Sequence, residues 1–298
     1  MIETSKLQTD QKSIPQPTWE RQKAHHEESV GEILDPYLKK RSEQKKDPVL
    51  DFLFEYYKFR PSHLKRWSPG IGVVLEVENE EALPKISEFS VSESTAWLNP
   101  DYFPQKRERA VRWMLGLLEN TDDSKPFYGC FGMHEWAMVY RADKVRHNQI
   151  PMRLSGDEIA EFVESRPLLC THFDAFRFFT EKAKPLNRNE LSRDSFQETE
   201  QPGCIHTNMD LYKWAYKLHP WVSGEMVREA FFLAKFARTI DMKASPYDLR
   251  EYELEPIKIE TETGRKEYLV KQKEIHEKAV PVRKKLIQHY RKILKLVV

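Results

Sequence analysis

The end of the chain, VPVRKKLIQHYRKILKLVV from position 280 onward, constrains the fold more than any other segment. Its apolar residues recur at helical spacing, at Val282, Leu286, Tyr290, Ile293 and Val297, with lysines and arginines between them. Steps of three and four residues place side chains on one face of an α-helix. The segment therefore predicts a long basic amphipathic helix. It either packs on the core with a solvated basic face, or presents that face to phosphates, a membrane surface or a partner.

Other segments carry the start and stop signals of helices. Asp47 precedes a proline, which is a strong helix start, and VLDFLFEYYKF then ends before Pro61. Ser155 and Glu158 form the pattern of a capping box at the start of GDEIAEFVES, and QKRERAVRWMLGLLEN has one apolar helical face. We predict further helices over 19–38 with an interruption near Pro36, over 208–218 and over 224–240.

Strand signals are few. GIGVVLEV, positions 70–77, is rich in β-branched residues and follows a Pro-Gly pair, so we predict a strand. PIKIETETGRKEYLV predicts a hairpin with Thr263-Gly264 at its turn. Residues 1–17 are polar and predict a disordered tail. The sequence thus predicts a mainly α protein with a few short strands (α+β), in which residues 18–298 form a single globular domain that ends in the basic amphipathic helix.

Composition limits the functional class. The 298 residues are 40% hydrophobic and 12% aromatic, as in an ordinary globular protein, and the net charge of +1 does not indicate an overall nucleic-acid-binding chain. No apolar run approaches the roughly 20 residues that span a bilayer, and the N-terminus has no hydrophobic signal core. Three cysteines, an odd number, indicate a reducing compartment. We therefore expect a cytoplasmic protein without a membrane-spanning segment.

Three segments combine a cysteine, a histidine and an acid: CFGMHEWAMVYR, CTHFDAFRFF and CIHTNMD. They are also the most aromatic and least charged parts of the chain. Polar groups in apolar surroundings cost free energy unless they are paired, so these groups need an explanation. The cysteines themselves are better explained as small core residues than as nucleophiles.

The first explanation is a divalent metal such as iron, manganese or zinc, for which histidine and carboxylate are suitable ligands. On a strand, His172 and Asp174 project from the same face, and on a helix His206 and Asp210 do so. His134 and Glu135 are adjacent and diverge on a helix, so only one of them is expected to face a common site. The possible ligands are His134, Glu135, His172, Asp174, His206 and Asp210.

The second explanation is metal-free acid–base chemistry, in which a carboxylate among aromatic rings has a raised pKa and a histidine orients water. A stacking slot for a planar or cationic ring could be built from Trp136, Phe176, Phe178, Tyr212 and Trp214. The third explanation is structural: the aromatic residues form core, Thr207 and Asp210 form a capping box, and Asp174 pairs with Arg177.

Five stretches resemble a bacterial family that carries the label 3-methyladenine DNA glycosylase: DPVLDFLFEYYKFRPSHLKRWSPGIGVVLE, GCFGMHEWAMVYR, CTHFDAFRFFT, EQPGCIHTNMDLYKWAYKL and MKASPYDL. The resemblance runs in blocks from about Asp47 to about Gln272. It implies cleavage of the base–sugar bond of an alkylated purine. The chain lacks the helix-hairpin-helix element, with its Gly-rich hairpin and following Asp, that many glycosylases share.

For that reaction we assign roles from the residues. Asp174, or in second place Glu135, stabilises the positively charged sugar and activates water, and His172 or His206 orients the water. Trp136, Tyr212 and Trp214 hold the flipped base. Arg177 and the C-terminal helix contact DNA phosphates, and no cofactor is required. The alternatives are a metal-dependent hydrolase or oxygenase of a small molecule, using the histidine and carboxylate ligands above, and a non-catalytic binding protein.

Overall fold

The C-terminal segment forms the longest helix of the structure, a computed structural model that describes residues 12–143 and 149–297. The helices of the described residues are α1 (Gln16–Ser42), α2 (Pro61–Leu64), α3 (Glu108–Asp123), α4 (Met133–Val139), α5 (Gly156–Glu164), α6 (Phe173–Phe176), α7 (Phe196–Thr199), α8 (Ile205–Lys217), α9 (Gly224–Lys243) and α10 (Glu262–Val297). The strands are β1 (Lys12–Ile14), β2 (Val73–Glu76), β3 (Phe89–Ser92) and β4 (Thr95–Leu98). The prediction of a mainly α fold with a few short strands is confirmed.

Helices α3, α8, α9 and α10 pack together around the main hydrophobic core. The predicted apolar face of α10 is confirmed, since all five of its residues named above are buried. Cations on the other face of α10 pair with acids of neighbouring helices: Arg291 lies 2.6 Å from Glu119 of α3, and Lys285 lies 2.9 Å from Glu229 of α9. The helix is therefore both a core element and a partly neutralised basic surface.

The four strands form one sheet in the order β1-β2-β4-β3, with β1 parallel to β2 and the other pairs antiparallel. Strand β2 lies within the predicted GIGVVLEV segment, so that prediction is confirmed. One face of the sheet covers a small apolar cluster of Ile14, Trp19, Trp67 and Leu75. Within the described residues, no helix combines the length and the apolar character that crossing a bilayer requires.

Helix start signals were predicted well. The Ser155–Glu158 capping box is present at the start of α5, and Oδ1 of Asp47 accepts hydrogen bonds from the backbone N–H groups of Val49 and Leu50 at 3.1 and 2.9 Å. The segment after Asp47 is shorter than predicted, because it becomes a π-helical turn over Phe52–Tyr56. That turn carries aromatic side chains of the candidate site.

Three expectations were wrong. Helix α1 continues through Pro36, because residue 32, whose carbonyl loses its hydrogen bond to that proline, lies on the exposed side and can be solvated. Residues 12–17, which were predicted as part of a disordered tail, are ordered, since β1 pairs with β2 and α1 begins at Gln16; the rest of the predicted tail, residues 1–11, lies outside the described residues. The predicted hairpin is the start of α10, where Thr261 Oγ1 accepts a hydrogen bond from Gly264 N at 3.0 Å.

Candidate active site

A cavity of about 350 Å³ lies where α4, α6, α8, α9 and the Phe52–Tyr56 turn approach one another. All three Cys-His-acid segments reach it, although they are far apart in the sequence. Its lining combines aromatic rings, acids and histidines: Lys46, Pro48, Asp51, Phe52, Glu55, Tyr56, Tyr57, Glu135, Met138, Gln149, Ile150, His172, Asp174, Ala175, Phe178, His206, Asp210, Arg238, Tyr247 and Tyr252.

Aromatic rings line one side of the cavity. Phe52 and Tyr56 stack with centroids 4.7 Å apart and planes 8° from parallel, because the π-helical turn places residues four apart one above the other. The ring of Phe178 meets Tyr56 edge to face at 5.9 Å, and Tyr57 meets Tyr56 in the same way at 5.0 Å. These packed rings provide a flat, rigid surface.

A lysine links two acids of the cavity. Lys213 Nζ lies 2.9 Å from Oδ2 of Asp174 and 2.7 Å from Oδ2 of Asp210. Burial opposes ionisation of Asp174, but the nearby Lys213 ammonium outweighs it and lowers the pKa of Asp174. Burial likewise opposes the charge on Lys213, while both carboxylates raise its pKa. The ion pairs of Lys213 with the two acids therefore favour the charged forms of Asp174 and Lys213.

Three histidine rings meet at the inner end of the cavity. The His206 ring contacts the His134 ring edge to face at 4.1 Å and lies nearly parallel to the His172 ring at 5.4 Å. His172 Nδ1 lies 2.7 Å from Oε1 of Glu200, whose other oxygen accepts a hydrogen bond from Thr207. Burial lowers the pKa of His172, but the Glu200 carboxylate outweighs it and raises that pKa. Burial, helped by the nearby His134, lowers the pKa of His206.

A buried charge network lies next to these rings. Arg238 NH1 donates hydrogen bonds to Oε1 of Glu135, at 2.7 Å, and to Oδ2 of Asp241. The guanidinium also sits 4.0 Å from the centre of the Phe52 ring. His134 Nε2 lies 2.8 Å from Oδ1 of Asp241. Burial disfavours the charged imidazole, but the Asp241 carboxylate outweighs it and raises the pKa of His134 to about 10.

Two groups of donor atoms could hold a metal ion: His134, His206 and Asp241, and separately His172, Asp174 and Asp210. Within each group the donor atoms lie within 4.8 Å of one another. The sequence named both histidine–acid sets, except that Asp241 was missed. Because Arg238 and Lys213 already neutralise part of each group, the donor atoms that remain free decide which group could bind an ion.

The structure brings the predicted reacting groups together. Glu135, His172, Asp174, His206 and Asp210 line the cavity, and His134 lies directly behind His206. We expected only one of His134 and Glu135 to face a common site. In the cavity wall this is so, since only Glu135 contributes to it. Both residues, however, contact the buried network of Arg238 and Asp241, so the expectation was wrong there.

The predicted base-binding rings lie elsewhere. Trp136 is fully buried and donates a 2.9 Å hydrogen bond to the carbonyl of Ala244, while Tyr212 is fully buried among other rings. Trp214 is buried and packs under Lys213 and Lys217. None of these three rings is part of the cavity lining. Arg177 is half-exposed, 3.3 Å from Asp174, as the structural explanation for that acid expected.

Two local predictions were wrong. His172 and Asp174 do not lie on a strand, because His172 is the N-cap of the single-turn helix α6. Thr207 does not cap α8: the helix begins at Ile205, and the Thr207 hydroxyl bonds to Glu200 instead. Asp210 is therefore free to project into the cavity on the same helix face as His206, as the predicted spacing requires.

The residues that sequence reasoning missed are mostly partners of the predicted ones: Tyr56, Tyr57, Glu200, Lys213, Arg238 and Asp241. One signal was present. Arg238 and Asp241 lie three residues apart within the apolar segment FFLAKFARTIDM, where a buried charge requires a partner. The three cysteines carry no disulfide, and burial raises the pKa of the Cys170 and Cys204 thiols, in accord with their interpretation as core residues.

Comparisons of the chain with protein-family models, with curated proteins and with solved structures found no match.

Proposed function

We propose that the protein hydrolyses the N-glycosidic bond of a positively charged, alkylated purine, which binds in the cavity. The observation that carries this proposal is the combination of flat aromatic rings with an excess of acids. Five carboxylates line the cavity, Asp51, Glu55, Glu135, Asp174 and Asp210, against the two lining cations Lys46 and Arg238. Lys213 and Arg177, which pair with Asp174 and Asp210 from outside the lining, leave one carboxylate in excess. Such a lining favours a cationic ligand and disfavours a free anion.

The shape of the cavity supports a planar ring as the ligand. Its volume of about 350 Å³ is at the lower end of ordinary small-molecule pockets, which suits a single nucleoside. The stacked Phe52 and Tyr56 rings and the Phe178 ring form the aromatic side. The guanidinium of Arg238 already lies over Phe52, at 4.0 Å. A base that carries a methyl group on a ring nitrogen is flat and positively charged, so it would gain stacking and cation–π attraction on the Tyr56 side of these rings.

Among the acids, the contacts favour Glu135 over Asp174 as the group that activates water. Both oxygens of Asp174 are engaged, one by Lys213 and the other by Arg177. Arg238 engages Oε1 of Glu135, and among the described residues no hydrogen bond to Oε2 is recorded. A carboxylate at this position can stabilise the developing positive charge on the sugar and accept a proton from water.

The other groups supply position and charge. His206 lines the same cavity as Glu135 and can orient the water. Asp174 and Asp210 share the single ammonium of Lys213, so this pair of acids favours a cationic base at a distance. Arg177 is half-exposed beside Asp174 and can contact a phosphate next to the bound nucleotide.

The experiment incubates the purified chain with methylated duplex DNA and with the corresponding free nucleosides, and separates the released bases by chromatography. We expect free 3-methyladenine and an equal number of abasic sites. Release from the free nucleoside alone would assign the reaction to a small-molecule substrate. Binding of the methylated base without any release would assign the cavity to a non-catalytic binding protein, and would contradict the proposed reaction.

A further inference from the structure

We propose that His134, His206 and Asp241 bind one divalent transition-metal ion at the inner end of the cavity. This inference does not depend on the proposed reaction, because it is argued from donor atoms alone and is tested by measuring the metal. The donors come from two segments that the sequence singled out and from α9.

His134 Nε2 and Asp241 Oδ1 are buried atoms that face each other without a well-aligned hydrogen bond. They lie on side chains with no exposed surface and are 2.8 Å apart, as an ion pair. Neither atom makes a hydrogen bond of acceptable geometry to a described residue. Buried polar atoms are normally hydrogen-bonded or bound to a metal, and a cation that touches both atoms would meet that requirement.

His206 supplies the third donor atom of the site. His206 belongs to the same group, in which the three donor atoms lie within 4.8 Å of one another. Ligand atoms that bind one ion at about 2.0–2.2 Å lie somewhat less than 4.8 Å from one another, so small shifts of these side chains would close the set around an ion. His206 also lines the cavity, so the ion would have an open side toward a bound water or substrate.

Arg238 also fixes the orientation of the Asp241 carboxylate. Arg238 binds Oδ2 of Asp241 and leaves Oδ1 on the side of His134. Metal-binding carboxylates commonly have their second oxygen fixed by such a neighbour, which orients the first. With Glu135 included, the network has two carboxylates, the guanidinium of Arg238 and the imidazole of His134, so a bound ion would take the place of the His134 proton beside Asp241.

The other donor group is less suitable. In the group of His172, Asp174 and Asp210, the ammonium of Lys213 already lies within 3 Å of both carboxylates. His172 Nδ1 is engaged by Glu200. A cation there would have to displace the whole Lys213 ammonium, whereas in the His134 group it would replace only the proton between His134 and Asp241.

The donor chemistry limits the ion. Two imidazoles and one carboxylate suit zinc, iron(II) and manganese, whereas calcium and magnesium prefer oxygen ligands. An ion with an open position acts as a Lewis acid and lowers the pKa of a bound water.

The experiment removes metal from the purified full-length chain and adds zinc, manganese, cobalt(II) or iron(II) one at a time, the last without oxygen. Bound metal is measured after desalting, and cobalt binding is also followed by visible absorption. We expect one equivalent of at least one ion and a higher melting temperature in its presence. His206→Gln and Asp241→Asn should each lower the affinity for that ion by about 100-fold or more.

The matched control is Asp174→Asn, in the other donor group, which should retain the wild-type affinity. If the Asp241 variant fails to fold, His206→Gln still tests the site, because His206 lies at the cavity wall. Circular dichroism checks the fold of each variant. Binding below about a tenth of an equivalent for every ion would overturn the proposal, since folded proteins with such sites bind metal tightly. Equal loss in Asp174→Asn would also overturn it.

Discussion

The hydroxyl of Tyr57 donates a 2.7 Å hydrogen bond to Oδ1 of Asp210, which lies 153 residues later in the chain. This contact fastens the aromatic turn over residues 52–56 to helix α8, and so joins the ring side of the cavity to its acidic side. Burial, together with the Asp210 charge, raises the pKa of Tyr57 well above its ordinary value. The tyrosine is therefore protonated, and a hydrogen-bond donor, at neutral pH.

The first prediction removes this hydrogen bond. Tyr57→Phe should lower the free energy of unfolding by about 1.5–3 kcal/mol, the range for a buried hydrogen bond to a charged group. The matched control is Tyr216→Phe, because the Tyr216 hydroxyl bonds the carbonyl of Arg60 at an exposed position. Urea denaturation followed by circular dichroism measures both. Equal losses in the two variants would show that the Asp210 contact has no special value.

The second prediction concerns the lysine between the two acids. Lys213→Met should destabilise the fold by about 3 kcal/mol, because it leaves two buried carboxylates without their cation. Lys278→Met is the control, since the Lys278 side chain is 55% exposed and its pair with Glu274 should contribute less than about 1 kcal/mol. Both are measured by urea denaturation at pH 7. A recovery of Lys213→Met at pH 4 would identify carboxylate repulsion as the cause.

The third prediction is a loss of stability between pH 6.5 and pH 4. Burial lowers the pKa of His26 and of His219 from 6.5 to about 4. Between these values the unfolded chain binds protons that the folded chain does not, so the free energy of unfolding falls as the pH drops from 6.5 to 4. Below pH 4 both states bind these protons, and the two histidines cause no further change. Each histidine can contribute up to about 3 kcal/mol.

His26→Gln tests that assignment, because glutamine can still donate to the carbonyl of Leu64, which His26 contacts at 2.9 Å. The slope of unfolding free energy against pH should become clearly smaller in this variant. His25→Gln, at the neighbouring exposed position, should keep the wild-type slope. An unchanged slope in His26→Gln would assign the acid sensitivity to other groups.

The fourth prediction tests the start of α10. A Cβ at Gly264 would lie 1.9 Å from the carbonyl oxygen of Lys258, so Gly264→Ala should cost about 2 kcal/mol or more. A Cβ at Gly156 would meet nothing within 4 Å, and Gly156→Ala should be neutral or stabilising by up to about 1 kcal/mol. Thermal unfolding of the two variants gives the comparison. A neutral Gly264→Ala would contradict this helix start.

Local signals were enough for much of the fold. The apolar spacing of α10 and the capping box at Ser155 act within a few residues, so the sequence predicts them directly. The segment before Thr263 alternates like a strand, but the helix start there is set by local contacts, the Thr261–Gly264 hydrogen bond and the close approach of Gly264 to the Lys258 carbonyl. Alternation is a weak guide where such local backbone contacts decide the structure.

The candidate site was predictable in its parts. The three Cys-His-acid segments do contribute side chains to one cavity, and this explains why polar groups occur in such apolar parts of the sequence. Their partners were not predictable, because Arg238 reaches Glu135 from another helix 103 residues away. The three rings first proposed for base binding are core, since an aromatic residue at helical spacing has the same pattern in either role.

The most direct test of the proposed reaction is the single-turnover rate of 3-methyladenine release from methylated DNA by the wild-type chain, Glu135→Gln and Glu181→Gln. Glu181 is the control, because its side chain is 86% exposed. We predict release by the wild type and by Glu181→Gln at equal rates, and a rate about 10²–10⁴-fold lower for Glu135→Gln, the usual contribution of a positioned acid or base. Absence of release by the wild type, or equal rates for all three proteins, would contradict the account.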